Sequence, residues 1–230
     1  MSTAEREVQI PPDGLSAVLT MPPGARAIMP LAHGAGAGKS HQFMADLAGV
    51  LSDAGIAALR YNFPYMDRAE SGGRRFPPDR PPVLVRAVRA AVACAAELSE
   101  GLPLLAGGKS LGGRMTTTAA ASGGLPGVRG IVLFGFPLHP PGRPEMAARR
   151  AAHLPETGLP MLFLQGSRDA LGKPHEVSRT IRGIRGAELR EIESADHGFG
   201  VPKRSGRTKS DVIRELVEIT AEWAGGLIPE

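Results

Sequence analysis

The 230-residue sequence contains one cysteine, Cys94. One thiol allows no disulfide within the chain and no cysteine-rich metal site. It lies in RAAVACAAEL, a helical pattern in which a small buried residue is the simplest reading. Aromatic residues make up only 4% of the chain, so stacking platforms for single-stranded nucleic acid are scarce. Lysine is rare too, at positions 39, 109, 173, 203 and 209, so arginine supplies the net charge of +4 and the pI near 9.6. The arginines are scattered, as in Arg74–Arg75, Arg86–Arg89, Arg149–Arg150 and Arg182–Arg185, and form no long basic block. That pattern argues against a nucleic-acid partner. No run approaches the ~18 apolar residues of a membrane span, and MSTAEREVQI has no apolar leader segment. The expectation is a soluble, cytoplasmic protein that does not engage membranes.

What the chain does have is a regular alternation of short apolar runs and helical patterns. REVQI and LSAVLTM flank PPDG, a hairpin signal because glycine accepts a positive φ. Strands are then expected at AIMPLA (27–32), AALRYN (57–62), LPLLAG (102–107), RGIVLFGF (129–136), PMLFLQG (160–166) and AELREIE (187–193). Between them, Phe43, Leu47, Val50, Leu51 and Ala54 recur at helical spacing, with Ser40 as the expected N-cap. Residues 84–98 and 174–184 also read as helices. The final helix carries Val212, Leu216, Ile219 and Trp223 on one stripe, opened by a capping box of Thr208 and Asp211. Residues 63–82 read as a loop rich in proline, glycine and arginine. Residues 137–159 read as a loop or small flap with one or two helical turns. A hairpin followed by strand–helix repeats predicts an α/β fold: a mostly parallel sheet of about eight strands, helices on both faces and no large cap. The whole length, 1–230, reads as one domain.

Two Gly-Lys-Ser triplets stand out. The first, in AHGAGAGKS (32–40), imitates a phosphate-binding loop, but the required first glycine is replaced by His33. Nor does any apolar strand end directly in the aspartate that such a site needs for magnesium. The second, Gly108-Lys109-Ser110-Leu111-Gly112, fits G-x-S-x-G and directly follows the apolar strand LPLLAG. That is the context of a nucleophile elbow, which presents a serine on a sharp strand-to-helix turn.

A serine hydroxyl is a weak nucleophile at neutral pH and needs a base, itself oriented by an acid. Downstream, Ser167-Arg168-Asp169 follows one strand, and Asp196-His197-Gly198 follows the last. Of the six histidines, His33 lies on the glycine loop and His41 at a helix start. His139 and His153 lie in the proline-rich segment and His175 on a helix, so only His197 follows the last strand. Asp196 is its chain neighbour and should point elsewhere, which favours Asp169 as the orienting acid. Backbone N–H groups of Leu111 and Ala35 are the expected oxyanion donors, with Gly34 as the alternative to Ala35. Tyr65, Phe136 and Leu138 are the expected apolar lining of a substrate pocket formed by the loops at 63–80 and 137–159. Lys109 and Arg114, near the elbow, read as solvated or structural residues, with an acidic substrate as the other option.

The stretches LAHGAGAGKSHQFM, RYNFPY, GGKSLGGRM, FGFPLHPPGRPE, LFLQGSRDALG and DHGFGVPKRSGRT resemble the α/β-hydrolase superfamily on its dienelactone-hydrolase-like side. They are most similar to a small branch of bacterial hydrolase-like proteins, with a testis-expressed vertebrate protein and a subunit of a chromatin-acetylating complex. The resemblance implies an α/β-hydrolase fold with Ser110 as nucleophile, Asp169 as acid and His197 as base. One departure is that dienelactone hydrolases carry cysteine where this chain has Ser110, so lactone specificity does not carry over. The expected function is that of a serine hydrolase of the carboxylesterase type, acting on an ester, thioester or related small acyl substrate. No cofactor or metal is implied. The alternatives are a non-catalytic scaffold that keeps the fold, as some eukaryotic relatives imply, and nucleotide binding at 33–40.

Overall fold

A computed structural model describes residues 5–228. Strands β1 (Glu5–Ile10) and β2 (Leu15–Thr20) form the antiparallel hairpin, turning at Gly14 with φ 65°. The alternation then runs β3 (Ala27–Ala32), α1 (Gln42–Asp53), β4 (Ile56–Tyr61), α2 (Pro64–Gly72), α3 (Pro81–Leu98), β5 (Leu104–Lys109) and α4 (Leu111–Ala121). It continues through β6 (Val128–Phe134), α5 (Ala147–Ala151), β7 (Met161–Gly166), α6 (Pro174–Ile181), β8 (Ala187–Ile192) and α7 (Lys209–Gly225).

The strands form one eight-stranded sheet in the order β1-β2-β4-β3-β5-β6-β7-β8. Only the hairpin strands run antiparallel to their neighbours; β4 through β8 are parallel. Side chains alternate across each strand, so each central strand needs apolar residues at every position. In β6, Ile131 and Leu133 pack under α3, α4 and α6, while Val132 and Phe134 pack under α1 and α7. With β3, β5, β6, β7 and β8 parallel, their carboxyl ends share one edge. The segments after those ends carry Ser110, Leu111, Asp169, His197 and the glycine loop with Gly34 and Ala35.

Three local expectations need correction. Residues 64–72 form α2 rather than loop, because Pro64 stands at the first helical turn, where its missing N–H costs nothing. Helix α1 begins after His41, whose ring accepts from the Phe43 N–H at 3.3 Å, so Ser40 is not the cap. The chain has already turned there, with the His41 N–H on the Gly38 carbonyl. Strand β5 starts at Leu104 and runs on past Gly107 through Gly108 and Lys109, which brings Ser110 directly to its end. The capping box of α7 forms: Thr208 accepts from the Asp211 N–H, and the Asp211 carboxylate accepts from the Thr208 N–H at 2.7 Å. Among the described residues, no helix is long and apolar enough to cross a membrane.

Candidate active site

Ser110 sits between β5 and α4 with φ 52° and ψ −114°. Non-glycine residues avoid this region, and holding one there costs of order 1–3 kcal/mol. Its N–H is tied to the Phe134 carbonyl of the neighbouring strand, and its carbonyl accepts from the Arg114 N–H, both at 3.1 Å. The tight turn depends on bare backbone. A Cβ on Gly108 would lie 2.5 Å from the Gly112 carbonyl carbon, and one on Gly112 only 2.3 Å from the Ala32 oxygen.

The structure brings Ser110, His197 and Asp169 into one hydrogen-bonded line. His197 Nε2 lies 2.8 Å from Ser110 Oγ, and His197 Nδ1 lies 2.7 Å from Asp169 Oδ2. Asp169 is wholly buried, whereas the His197 side chain is 24% exposed. A buried carboxylate needs donors, and Asp169 has them: the Leu171 N–H on Oδ1 at 2.8 Å and the Gln165 amide on Oδ2 at 2.8 Å. With Oδ2 accepting, the His197 proton belongs on Nδ1, leaving Nε2 as an acceptor facing the serine. Asp196 does point elsewhere, its Oδ1 accepting the Gly198 and Gly200 N–H groups at 2.8 Å each.

The glycine loop packs against the serine: a Cβ on Gly34 would stand 3.6 Å from Ser110 Cβ. Ala35 and Gly36 are exposed at its tip. Leu111 is the first residue of α4, so its N–H has no acceptor within the helix. His33 anchors the loop from below. Its Nε2 accepts from the Phe63 N–H at 3.0 Å, so Nδ1 carries the proton and donates to the Gly34 carbonyl at 2.8 Å. Burial lowers its pKa to about 4 and keeps the ring neutral.

Lys39, which stands where a phosphate-binding lysine would be, is committed elsewhere. Its Nζ pairs with Glu70 at 3.1 Å, its N–H donates to Asn62 at 2.7 Å, and its carbonyl accepts from Arg60. Among the described residues no cluster of His, Cys, Asp and Glu is arranged to hold a metal.

Tyr65, Phe136 and Leu138, expected to line a pocket, are 0%, 1% and 1% exposed. They are packed into the apolar core and closed off from solvent, where loop-tip residues had been expected. A cleft of about 1130 Å³ lies away from Ser110. Its walls include Pro160 and Gly186, at the starts of β7 and β8, on the opposite edge of the sheet.

Gln165 escapes a sequence reading, and Lys109, read there as solvated or structural, has a specific structural partner. Gln165, at the end of β7, is buried and holds both Asp169 and the Gly172 carbonyl. A lone amide closing the apolar run PMLFLQ was the available signal. Lys109 reaches 88 positions along the chain and donates to the His197 carbonyl at 2.6 Å, its ammonium 5.3 Å from the centre of the Phe199 ring. Burial lowers its pKa to about 8, against the pull of Asp169 and Asp196. A base whose folded pKa lies below its unfolded value (~10.4) holds fewer protons when folded, so folding gains as pH rises between those values. Lys109 keeps some solvent contact, which holds the gain to about 1–2 kcal/mol. Denaturant titrations should therefore show wild type gaining on Lys109→Met by that amount between pH 7.5 and 10. A pH-independent gap would show that Lys109 remains fully charged.

A family model described as "Alpha/beta hydrolase domain" matches residues 25–225. No curated protein matches the chain. Among solved structures it is similar to a dienelactone hydrolase from Anabaena variabilis, with TM-score 0.75, 22% identity and 100% of both chains covered. It is also similar to an alpha-beta serine hydrolase homologue from Coxiella burnetii, with TM-score 0.72, 19% identity and coverage of 95% and 98%. A third is Est1E from Butyrivibrio proteoclasticus, with TM-score 0.70, 17% identity and coverage of 95% and 99%. At such identities these likenesses concern the fold.

Proposed function

The chain belongs to the alpha/beta hydrolase domain family, and on that premise we propose that it is a serine hydrolase of small acyl substrates, working through Ser110, His197 and Asp169. The observation that carries this reading is the continuous line of hydrogen bonds, Oγ to Nε2 at 2.8 Å and Nδ1 to Oδ2 at 2.7 Å, ending on a serine held at positive φ.

In the proposed cycle His197 Nε2 takes the Ser110 proton as Oγ attacks the acyl carbon. The carbonyl oxygen becomes an oxyanion facing the N–H groups of Leu111 and of Ala35 or Gly34. Removing one such donor in comparable sites costs about 10²–10³ in rate. Asp169 stabilises the imidazolium, which then protonates the leaving alcohol or thiol as the acyl–oxygen or acyl–sulfur bond breaks. Water, deprotonated by His197, attacks the acyl-serine; the carboxylic acid leaves and the proton returns to Oγ.

The test is steady-state turnover of a 4-nitrophenyl ester series from acetate to octanoate by wild type and Ser110→Ala. The expected result is saturable hydrolysis by wild type, reduced by at least about 10³ in the folded variant. A scaffold that merely retains the fold would release no nitrophenol above the rate of Ser110→Ala.

A further inference from the structure

One basic cluster near the elbow has no acidic counterpart. Of the four arginines that are not exposed among the described residues, two are paired: Arg60 with Glu5 and Arg207 with Glu215. Arg114 and Arg150 are both part-buried, yet neither forms an ion pair with any described residue, nor does any carboxylate act on them electrostatically. Among the described residues Arg150 makes one long hydrogen bond, 3.4 Å to the Pro137 carbonyl, and the Arg114 guanidinium makes none. Burial lowers Arg114, and Arg150 lowers it further, so the two cations oppose each other. Behind them His153 sits 2.8 Å from Thr117 Oγ1, and burial, then Arg114, lowers its pKa too. The cluster thus contains only cationic or neutral groups.

Its location relates it to Ser110. Arg114 lies four residues beyond Ser110 on α4, about 6 Å along the axis, and helical side chains lean back toward the helix N-terminus. Arg150 is on α5, and the carbonyl it touches, Pro137, lies three residues past Phe134, the residue that holds the Ser110 N–H. Arg114 thus stands one helical turn beyond Ser110, and Arg150 reaches the segment that follows β6 at the same edge of the sheet. The positive end of the α4 dipole favours negative charge at the same place.

We propose that Arg114 and Arg150 form an anion subsite that takes a carboxylate carried by the substrate a few bonds from its scissile carbonyl. This rests on the serine-hydrolase reading and names the substrate class for it: a half-ester of a dicarboxylic acid, or an ester with a carboxylate on its alcohol side. Two forked guanidiniums suit a planar carboxylate, which accepts paired N–H bonds. The chain's positive net charge steers such an anion toward the site.

The experiment compares kcat/KM for mono-4-nitrophenyl adipate with that for 4-nitrophenyl hexanoate, of equal chain length, and for 4-carboxyphenyl hexanoate with phenyl hexanoate. The anionic member of at least one pair should be preferred by about tenfold to a hundredfold at low salt. That preference should shrink severalfold in Arg114→Met and in Arg150→Met, survive in part in Arg114→Lys, and persist in Arg149→Met, whose side chain is exposed and outside the cluster. Each variant's thermal unfolding is recorded alongside.

Calorimetric binding of monomethyl adipate to Ser110→Ala, with and without Arg114→Met, reads the subsite without turnover. If no ester is hydrolysed but monomethyl adipate binds in an Arg114-dependent way, the hydrolase reading falls and the subsite stands. If neutral and anionic esters are hydrolysed alike and monomethyl adipate does not bind, the subsite falls alone. A ratio that is equal in wild type and both methionine variants also overturns it.

Discussion

Asp169→Asn should lower kcat for ester hydrolysis by about 10³–10⁴ with little change in KM. The reason lies in the donors converging on this buried carboxylate. Oδ2 accepts from both Gln165 and His197, while Oδ1 accepts from the Leu171 N–H. An amide has one acceptor end and one donor end, so it cannot satisfy all three. With its NH₂ toward His197, the ring must carry its proton on Nε2, where it donates to Ser110 instead of accepting from it. With its oxygen toward His197, the tautomer survives, but the NH₂ meets the Leu171 N–H and no negative charge remains to stabilise the imidazolium. Either orientation harms the transition state more than substrate binding. Kinetics on any ester that wild type turns over will read it; a loss below about tenfold would mean Asp169 is not the orienting acid.

How much of this arrangement the sequence discloses depends on how local the physics is. The strand-end positions of Ser110, Asp169 and His197 follow from period and punctuation: apolar runs closed by glycine, serine or aspartate. Their hydrogen-bonding distances follow from the parallel sheet, which gathers those strand ends on one edge. What lay beyond reach was long-range or marginal. Lys109 finds the carbonyl of His197, 88 residues away, and nothing near Lys109 announces that partner. Helix α2 hid behind a composition typical of loops, since Pro64 at a first turn looks the same in sequence as Pro64 in a coil. The burial of Tyr65 and Phe136 depends on how their segments fold back on the core, which loop composition does not report. The glycines of the elbow were visible as a motif, but the atoms they make room for were not.

That last point leads to the second large effect. Gly112→Ala places a methyl 2.3 Å from the Ala32 carbonyl oxygen and 2.6 Å from its carbon. Both are backbone atoms at the end of β3, so relief requires α4 to move off the sheet. Overpacking of this kind costs typically 1–3 kcal/mol, and an immovable partner puts this site at or above the upper end. For a chain of this size ~3 kcal/mol corresponds to a drop in Tm of roughly 6–12 °C. The same displacement separates Leu111 from the 34–36 loop, so activity should fall further than stability alone explains. Gly49→Ala is the contrast: it is exposed on α1 with nothing within 4 Å of the added methyl. There the better helix former should raise stability by up to about 1 kcal/mol. Calorimetric melts of the two variants should therefore move in opposite directions, and similar melts would show that α4 and β3 are not in such close contact.

The central claim is that Ser110 is a nucleophile activated by His197. Intact-protein mass spectrometry after exposure to a serine-directed fluorophosphonate tests it most directly. Wild type should gain a single phosphonyl adduct that peptide mapping places on Ser110, and folded Ser110→Ala should gain none. A wild-type protein that stays unmodified, or a Ser110→Ala variant that is modified equally, would contradict the account.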